Sequence, residues 1–432
     1  MNRRTFVAST ALGLAGSMQA VSANDKVNIA VIGVGGRGTN HVTDFARRTN
    51  ANLTAVCDVN TAQTERAVQV YHKAKNVKPK IYGDLRKLYE DKDVDAVIIA
   101  TPNHWHALAG IWACQAGKDV YVEKPVSYNP FEGERLVAAA RKFNRVVQGG
   151  MQRRSLAHKK RAVELLRQGV IGDIYMARGL CYKRRPSIGH KPDGPVPPGV
   201  DWDLFLGPAP LRAFNENRFR YNWHWFWDTG NGDIGNQGIH ELDYARWGLN
   251  MSGNPKSVFS TGGKYVYDDD QETPNMQSAM FDYGKCMLCF EVRGLPTGGE
   301  SELSLRGGNF VGVLFYGSKG YMVVEDAGFR IFLGDKREPG ESMQMAENPR
   351  EENDPHMANF IAAIRSRRSA DLVAEIQEAA ISADLVHLAN ASFRTGRKLT
   401  LEQSSHTTRF QRDDEANKLL TRNPYRTPYI VS

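Results

Sequence analysis

The chain has 432 residues, of which 41% are hydrophobic and 24% are charged. That length is enough for two or three domains with sizeable cores, and the composition excludes disordered, collagen-like and coiled-coil classes. The net charge is +8, and the 56 basic and 48 acidic residues are interspersed, whereas a nucleic-acid-binding protein usually clusters its basic residues. Five cysteines without zinc-like spacing indicate neither a disulfide framework nor a metal site.

Residues 1–23 have the pattern of an export signal. Arg3 and Arg4 form a charged start, a weakly apolar stretch follows, and small residues lead up to Ala23. The paired arginines match a twin-arginine signal, so we expect cleavage after Ala23 and a periplasmic or secreted protein. The alternative interpretation is a buried N-terminal helix. Nowhere later is the sequence apolar over the roughly 18 residues of a membrane helix, so no membrane span is expected.

A glycine-rich motif follows the first predicted strand. A β-rich run leads into the sequence GVGGRG, which begins at Gly33, and a helical pattern comes next. Gly33 permits a tight turn, Gly35 lets the backbone approach a pyrophosphate, and Gly38 allows close helix packing. Asp58, 20 residues beyond Gly38, would accept hydrogen bonds from ribose hydroxyls and favours NAD. Arg37 keeps NADP open, because a nearby arginine can receive a 2′-phosphate.

Strands and helices alternate over residues 24–150, which predicts a parallel, doubly wound sheet in a dinucleotide-binding domain. The further predicted strands are 95–100, 119–122 and 146–148. In such sheets ligands bind at the carboxyl ends of the strands. The predicted cofactor contacts are Gly33, Gly35, Gly36, Arg37, Gly38, Asp58, Thr101, Pro102, Asn103, His106, Glu123, Lys124 and Gln152.

Residues 151–412 show a different pattern, of short β-rich runs separated by glycine-rich turns. The runs at 174–181, 257–261, 276–282, 286–293, 311–316 and 321–324, and helices at 355–365 and 374–395, predict an α/β domain with an antiparallel sheet. Such a sheet could supply one wall of a cleft and an oligomer face. The tail, residues 413–432, is expected either to pack back on the body or to reach a neighbouring subunit.

Together these motifs resemble the glucose–fructose oxidoreductase, inositol dehydrogenase and rhizopine-catabolism (Gfo/Idh/MocA) family over essentially the whole mature chain. The matching elements are the glycine motif, Thr101-Pro102 with His106, Glu123-Lys124-Pro125, and the sequence GNQGIHELD at 235–243. The resemblance implies a Rossmann domain followed by an α/β domain with an open, mostly antiparallel sheet. It also implies bound NAD or NADP and oxidation of a carbohydrate or polyol hydroxyl, or reduction of the ketone. The segment 198–208 is similar to secreted, often twin-arginine-exported branches, and a homo-oligomer is expected.

By this resemblance, Lys124 and His240 are the catalytic pair. An ammonium at Lys124 could polarise a carbonyl oxygen, and an imidazole at His240 is suited to proton exchange near neutral pH. Many family members carry Asp where this chain has Asn236, four residues before His240, so on a helix the two side chains would face the same cleft. As a third catalytic residue, Asn236 can orient a hydroxyl or bind the lysine but cannot take a proton, so His240 alone would be the base. We expect Asp243 to orient His240 or to bind substrate, and Pro125 to follow a cis peptide.

Further cleft residues are predicted around the same motif. Five of the seven tryptophans lie between residues 202 and 247, where they would either stack on sugars or form a structural cluster. The predicted substrate contacts are Arg153, Tyr182, Trp225, Asn236, His240 and Asp243, with Arg154, Lys183 and Arg185 as further candidates. The Cys286 and Cys289 pair lies in a predicted strand, where the odd offset places the side chains on opposite faces.

Three functions are compatible with these patterns. The first is an exported NAD(P)-dependent carbohydrate oxidoreductase. The second is a redox-neutral glycoside hydrolase that uses bound NAD, although the Tyr-Pro-Thr-His motif of family relatives of that type is missing. The third is a non-catalytic sugar-binding protein, which the presence of Lys124 and His240 disfavours. Because an exported enzyme has no pool of NAD(H) to draw on, we expect a tightly held cofactor that is loaded before export and regenerated on the enzyme.

Overall fold

Parallel strands in the N-terminal part of the chain form the first sheet. The computed structural model describes residues 26–298, 303–304, 306, 308–345, 353–403 and 407–432, so the predicted export signal lies outside the described residues. Within them, six strands pair in the order β3-β2-β1-β4-β5-β6. Their bounds are β1 Val27–Ile32, β2 Ala51–Cys57, β3 Lys80–Tyr82, β4 Ala96–Ile99, β5 Asp119–Val122 and β6 Val147–Gly149.

Helices connect these strands and cover the sheet. They are α1 Arg37–Arg47, α2 Thr61–Lys75, α3 Leu85–Tyr89, α4 Asn103–Gln115 and α5 Pro130–Lys142. The doubly wound parallel sheet confirms the prediction, and the strand order reverses direction between β1 and β4. Such a reversal opens a ligand-binding crevice at the carboxyl ends of the strands. The short strand β3 was missed, because only three residues pair there.

The second sheet is mixed and mostly antiparallel. Nine strands among the described residues pair in the order β14-β13-β12-β11-β7-β10-β9-β8-β15, with β7 and β10 parallel. Their bounds are β7 Ile174–Tyr182, β8 Ser257–Gly263, β9 Met276–Asp282, β10 Met287–Arg293, β11 Phe310–Gly317, β12 Gly320–Glu325, β13 Gly328–Leu333, β14 Glu338–Gln344 and β15 Leu399–Thr400. The remaining helices are α6 Ala157–Arg167, α7 Trp202–Leu206, α8 Ile239–Gly248, α9 Asn353–Ser366, α10 Ile376–Thr395 and α11 Asp414–Asn417. The prediction of a mostly antiparallel sheet with two later helices is confirmed, although strands β13, β14 and β15 were not predicted.

The two sheets share elements across the predicted boundary at residue 150. Met357, Phe360 and Ile361 of α9 belong to the apolar core that covers one face of the first sheet. Helix α10 packs against α5 of the first unit and against α8 and β8 of the second. A segment far along the chain therefore completes the N-terminal domain. None of the helices that the structure describes is long and apolar enough to span a membrane.

A long excursion between β7 and α8 lies over the edge of the first sheet. We call residues 199–230 the roof. Its own core holds Trp202, Phe205, Leu206, Phe214 and Phe219. Backbone hydrogen bonds join it to the chain after β2, since Thr61 N–H donates to the Gly199 carbonyl and Asp201 N–H donates to the Val59 carbonyl. The indole of Trp105 on α4 donates to the Leu204 carbonyl at 2.9 Å.

The C-terminal tail crosses the outside of the roof. Arg426 pairs with the Asp203 carboxylate and donates to the Gly207 carbonyl at 2.8 Å. The Tyr429 hydroxyl donates to the same carboxylate at 3.1 Å, and its ring meets the Trp105 ring edge-on. The tail thus binds the roof and the first domain together.

Candidate active site

A cleft of about 720 Å³ separates the first domain from the roof. We call its first-domain wall, made by the ends of β1, β2, β4 and β5, the floor. The predicted cofactor residues that line the cleft are Gly33, Gly35, Gly36, Arg37, Asp58, Thr101, Pro102, Asn103, His106, Glu123 and Lys124. From the roof come Leu204, Phe205, Phe219, Arg220, Tyr221, Trp223 and His224, and Asn236 comes from the second domain.

The glycine loop has the shape that a dinucleotide requires. Gly33 has a φ of +82°, and a Cβ at Gly38 would lie 1.8 Å from the Gly33 carbonyl oxygen, so neither position admits a side chain. At Gly36, the residue before helix α1, a Cβ would meet nothing within 4 Å. The loop is therefore tight on its inner side and open at the helix N-terminus, where backbone N–H groups and the helix dipole favour a pyrophosphate.

Asp58 supports this loop and faces the same cleft. Its two carboxylate oxygens accept the N–H groups of Val34 at 2.8 Å and Asn60 at 2.9 Å. Burial raises the pKa of the Asp58 carboxyl, and these N–H donors partly offset that effect. Since a carboxylate oxygen has two lone pairs, the group can still accept from ribose hydroxyls. These residues fit a nicotinamide dinucleotide, which supplies a hydride acceptor when it is bound.

Arg37 is engaged by Glu123. Its Nε lies 2.8 Å from the Glu123 carboxylate, and His41 Nε2 lies 2.9 Å from the same oxygen. Burial opposes ionisation of Glu123, but Arg37 and His41 outweigh burial and hold the pKa of that carboxyl well below its usual range. The charge of Arg37 is therefore committed to an internal ion pair, and this favours NAD over a cofactor with a 2′-phosphate.

Two loops of the floor are braced against each other by His106. Its Nδ1 lies 2.6 Å from the Pro125 carbonyl oxygen, and its Nε2 lies 2.7 Å from the Thr101 carbonyl oxygen. Asn103 Nδ2 donates to Asn231 Oδ1 at 2.9 Å, just past the end of the roof. His106 and Asn103 thus fix the chain segments that follow β4 and β5, and with them the position of Lys124.

Lys124 lines the cleft, and the peptide bond that joins it to the following Pro125 is cis, which confirms that prediction. Its Nζ donates to the backbone carbonyl oxygen of Asn236 at 2.5 Å. Burial disfavours the ammonium form and lowers the pKa of Lys124 to about 8, although the Glu123 carboxylate acts in the opposite direction. An amine with that pKa can both accept and donate a proton near neutral pH.

His240 is buried and does not line the cleft, which differs from its prediction as a substrate contact. Burial lowers the pKa of the imidazole well below its usual value, and the cations of Arg153 and Lys124 lower it further. Its Nδ1 has no hydrogen-bond partner among the described residues. The pKa of Lys124, lowered to about 8, and the depressed pKa of His240 therefore favour Lys124 over His240 as the group that exchanges a proton near neutral pH.

Asn236 reaches the cleft through a π-helical turn. Residues Ile234–Gly238 form this turn immediately before α8, so the simple i, i+4 spacing expected between Asn236 and His240 does not apply. The Asn236 carbonyl holds Lys124, and its side-chain Nδ2 donates to the Tyr221 hydroxyl at 2.8 Å. Among the predicted substrate contacts, Asn236 is the one that lines the cleft.

Two predicted substrate contacts are tied up in buried ion pairs. Both oxygens of Asp243 accept from Arg154, at 2.7 to 3.1 Å, and Ser382 also donates to this carboxylate. Asp243 therefore neither orients His240 nor faces the cleft, and the prediction is wrong for it. Arg153 likewise bridges Glu241 and Asp326.

Three further predicted residues lie outside the cleft lining. Tyr182 is 2% exposed and packs in a core on the second sheet, and Trp225 is 4% exposed. Their burial removes them from contact with a substrate, contrary to the prediction. Gln152 begins a short 3₁₀ turn after β6, and its Oε1 is buried without a partner among the described residues. The burial of Tyr182 and Trp225 depends on packing between segments far apart in the sequence, which a local pattern does not reveal.

The roof contributes cleft residues that the sequence did not single out. Tyr221 is 51% exposed, and the rings of Trp223 and His224 stack with centroids 3.6 Å apart. The only signal was the dense run of tryptophans around them, which indicated an aromatic wall without indicating which rings face inward.

Two family models match the chain. One, described as "Oxidoreductase family, NAD-binding Rossmann fold", matches residues 27–151. The other, described as "Oxidoreductase family, C-terminal alpha/beta domain", matches residues 182–261 and 321–431.

Curated relatives match over a shorter stretch. The chain is 33% identical over 155 residues to an alpha-N-acetylgalactosaminidase from Shewanella oneidensis, a match covering 34% of this chain and 33% of that protein. Glycosyl hydrolase family 109 protein 1 from Shewanella sp. (strain ANA-3) is 34% identical over 155 residues, with the same coverage. The match therefore spans about a third of the length of these relatives.

Solved structures share the fold over most of the chain. A levoglucosan dehydrogenase in complex with NADH superposes with a TM-score of 0.67 at 16% identity, covering 88% of this chain and 100% of that one. The WlbA dehydrogenase from Bordetella pertussis, in complex with NADH and UDP-GlcNAcA, superposes with a TM-score of 0.63 at 20% identity and the same coverage.

Proposed function

Since the chain belongs to the Gfo/Idh/MocA family of NAD-binding oxidoreductases, we propose that it transfers hydride between NAD and a hydroxyl or ketone of a carbohydrate or polyol. The observation that carries this proposal is the position of Lys124. Its amine, with a pKa of about 8, lies in the same cleft as the open glycine loop. A hydride transfer needs a proton acceptor beside the cofactor, and this amine meets that need.

The proton follows a short path in this mechanism. When the substrate is oxidised, its hydroxyl proton passes to the neutral amine of Lys124 while the hydrogen on the same carbon leaves with its electron pair. In the reverse direction the Lys124 ammonium returns a proton to the carbonyl oxygen. The Asn236 carbonyl, which accepts from Nζ at 2.5 Å, fixes the amine in place.

A carbohydrate suits the walls of the cleft. Trp223 and the roof residues beside it offer aromatic faces, which pack well on the C–H surfaces of sugars. The solved dehydrogenases with this fold carry sugar names in their descriptions, among them levoglucosan and UDP-GlcNAcA. Both observations support a polyhydroxylated substrate.

We further propose that the cofactor stays bound between turnovers. The roof covers the cleft, and its bonds to residues after β2 and to α4, together with the tail, resist opening. In an exported protein such a cofactor would be regenerated by a second carbohydrate, or by return of hydride to the same substrate. The export signal itself, residues 1–23, stays a proposal that a signal-cleavage assay in the host would test.

The decisive experiment is to denature the purified protein and identify the nucleotide released. About one NAD or NADH per chain supports a retained cofactor, and NADP in its place would correct the cofactor assignment. Mixing the protein with pairs of neutral sugars, without added nucleotide, then tests turnover. If dialysis removes the nucleotide completely, the retained-cofactor proposal fails, whereas a product formed only with added NAD leaves the oxidoreductase proposal intact.

The second candidate is a redox-neutral glycoside hydrolase. The match to an alpha-N-acetylgalactosaminidase favours it, and the missing Tyr-Pro-Thr-His motif disfavours it. Incubation with aryl glycosides, including those of N-acetylgalactosamine, separates the two candidates. Release of the aglycone with no net NADH would establish the hydrolase in place of the dehydrogenase.

We also propose that the chain forms a homo-oligomer through the outer face of the second sheet. Met280 and Met287, on neighbouring strands of that face, are 45% and 40% exposed. Exposed apolar side chains grouped on a sheet are typical of protein contacts. Light scattering of the purified protein tests this, and a monomer at all concentrations would contradict it.

A further inference from the structure

The hydroxyl of Tyr221 receives two hydrogen bonds from the protein. Asn236 Nδ2 donates to it at 2.8 Å, and Arg185 donates to it at 3.2 Å. A phenolic oxygen has two lone pairs and one hydrogen. Both lone pairs are therefore used, and the O–H group of Tyr221 can act only as a donor.

The hydrogen of that O–H group has no acceptor in the described parts of the chain. Tyr221 is 51% exposed and lines the cleft together with Lys124 and His224. The protein thus fixes the Tyr221 oxygen by two donors and leaves its hydrogen available for a ligand in the cleft. A donor arranged in this way selects ligands that present an oxygen acceptor.

The residues that donate to Tyr221 belong to a network in which the Arg185 cation pairs with the Asp233 carboxylate. Arg185 forms two bonds to the Asp233 carboxylate, at 2.7 and 3.0 Å, and Asp233 also accepts from Asn236 Nδ2 at 3.2 Å. The guanidinium polarises the phenol and makes its hydrogen a better donor. Because Asp233 neutralises Arg185, the group offered to the cleft is a neutral hydroxyl, which suits a neutral oxygen better than a carboxylate or phosphate.

One residue connects this network to the proton-exchanging amine. The backbone carbonyl of Asn236 accepts a hydrogen bond from Lys124, and its side-chain amide donates one to the Tyr221 hydroxyl. The π-helical turn at Ile234–Gly238 is what presents both groups of Asn236 to the cleft side. A π-turn of this kind is frequent at functional sites.

We propose that Tyr221 binds the substrate by donating its hydroxyl hydrogen to a hydroxyl or carbonyl oxygen of the sugar, and that Asn236 is a positioning residue for Tyr221 and Lys124. This inference rests on the proposed carbohydrate function. It gives Asn236 a role that needs no proton transfer, and it makes the roof part of the substrate site as well as the cover of the cofactor.

The test compares Tyr221→Phe with the wild-type protein, both carrying their bound nucleotide. The ligands are levoglucosan, L-sorbose, and methyl glucosides and galactosides in which each hydroxyl in turn is replaced by hydrogen. Binding is followed by the fluorescence of the bound reduced cofactor, and turnover by sugar product. Tyr175→Phe, which removes a hydroxyl from an exposed tyrosine on the second sheet, is the matched control.

We expect Tyr221→Phe to weaken binding or kcat/KM by about 10- to 100-fold, as loss of one directed hydrogen bond does. One deoxy sugar lacks the oxygen that Tyr221 contacts. The wild-type protein should bind that sugar more weakly than the parent sugar, whereas Tyr221→Phe should bind both sugars with the same affinity. Adding Asn236→Ala to Tyr221→Phe should cause little further loss of sugar affinity or kcat/KM. The melting temperature and nucleotide content should match those of the control.

The opposite outcomes are distinct. Wild-type affinity in Tyr221→Phe overturns the inference, and so does a uniform loss in which every deoxy sugar keeps its wild-type penalty, since that indicates an indirect effect. If the wild-type protein binds none of these sugars, the inference is overturned, whereas the oxidoreductase proposal is decided separately by the released nucleotide and by turnover.

Discussion

The floor and the roof of the cleft are built in different ways. The floor consists of short motifs at strand ends that pack closely on one another. Gly38 packs against the Gly33 carbonyl, and the His106 ring lies between the carbonyl oxygens of Thr101 and Pro125. The roof is a 32-residue excursion with little regular structure, held by an aromatic core and by the tail. The difference fits the functions proposed above, in which the floor carries the cofactor and the proton exchange and the roof contributes to substrate binding, since binding residues are often on loops positioned by a regular scaffold.

Lys124→Met on the floor gives the largest expected effect. Removing the amine should lower turnover about 10³-fold, because the proton then has no acceptor beside the reacting carbon. The nucleotide should remain bound, since Lys124 is not required by the glycine loop. Single-turnover oxidation with the bound cofactor is the measurement, and Lys142→Met, on the exposed side of α5, is the control. Unchanged turnover would move the proton exchange to another group.

Asp58→Asn tests the other half of the floor. The neutral amide should bind ribose hydroxyls less well and should lose one of the backbone N–H bonds that hold the loop, so nucleotide affinity should fall about 10- to 100-fold. Equilibrium dialysis of refolded protein with NAD measures it. Asp173→Asn, at an exposed position, should leave affinity unchanged, and an equal loss in both variants would contradict a ribose contact.

The pH dependence of the reaction should follow Lys124. With a pKa of about 8, the amine is mostly protonated below that pH and cannot accept a proton. The oxidation rate should therefore rise about tenfold per pH unit up to about pH 8 and level off above it, and the reduction rate should fall above about pH 8. Single-turnover rates measure both limbs. An oxidation rate that titrates near pH 6.5 would instead point to a histidine with an ordinary pKa.

Arg426→Ala tests the roof with the smallest expected effect. Loss of the Asp203 pair and the Gly207 bond should let the roof open more often and speed nucleotide exchange about five- to tenfold. The rate of the chemical step should stay the same. Exchange against labelled NAD measures the effect, with Arg368→Ala, an exposed pair partner of Asp371, as the control. A slower chemical step with unchanged exchange would mean that the tail acts on the floor instead.

The sequence predicted the floor well because its residues are constrained locally. The glycine loop lies between a strand and a helix, and Asp58 follows the next strand. Thr101, Glu123 and Lys124 lie within two residues of the end of a strand. Eleven of the thirteen predicted cofactor residues line the cleft, and Gly38 does not because it packs beneath the loop. Six of the nine described strands of the second sheet were also predicted, whereas β13, β14 and β15 were missed. Strand β14 is mostly exposed and β15 has two residues, so neither shows an apolar alternation.

The roof and the second-domain contacts could not be predicted in the same way. Whether Trp223 or Trp225 faces the cleft depends on how a loop without regular period folds back on the first domain. Asp243 has the spacing of a site residue, but its partner Arg154 lies 89 positions away in sequence. The neutral state of His240 depends on burial and on two distant cations, which only the three-dimensional arrangement reveals.

Helix α9 has a consequence for the order in which the molecule matures. It supplies Met357, Phe360 and Ile361 to the face of the first sheet, more than 200 residues after β6 has been made. Helices α1 and α2 cover part of that face, but until the ribosome has released α9 the nascent first domain leaves the remaining apolar part exposed, and exposed apolar surface favours aggregation. We therefore expect the N-terminal domain, expressed without α9, to be less soluble than the whole chain.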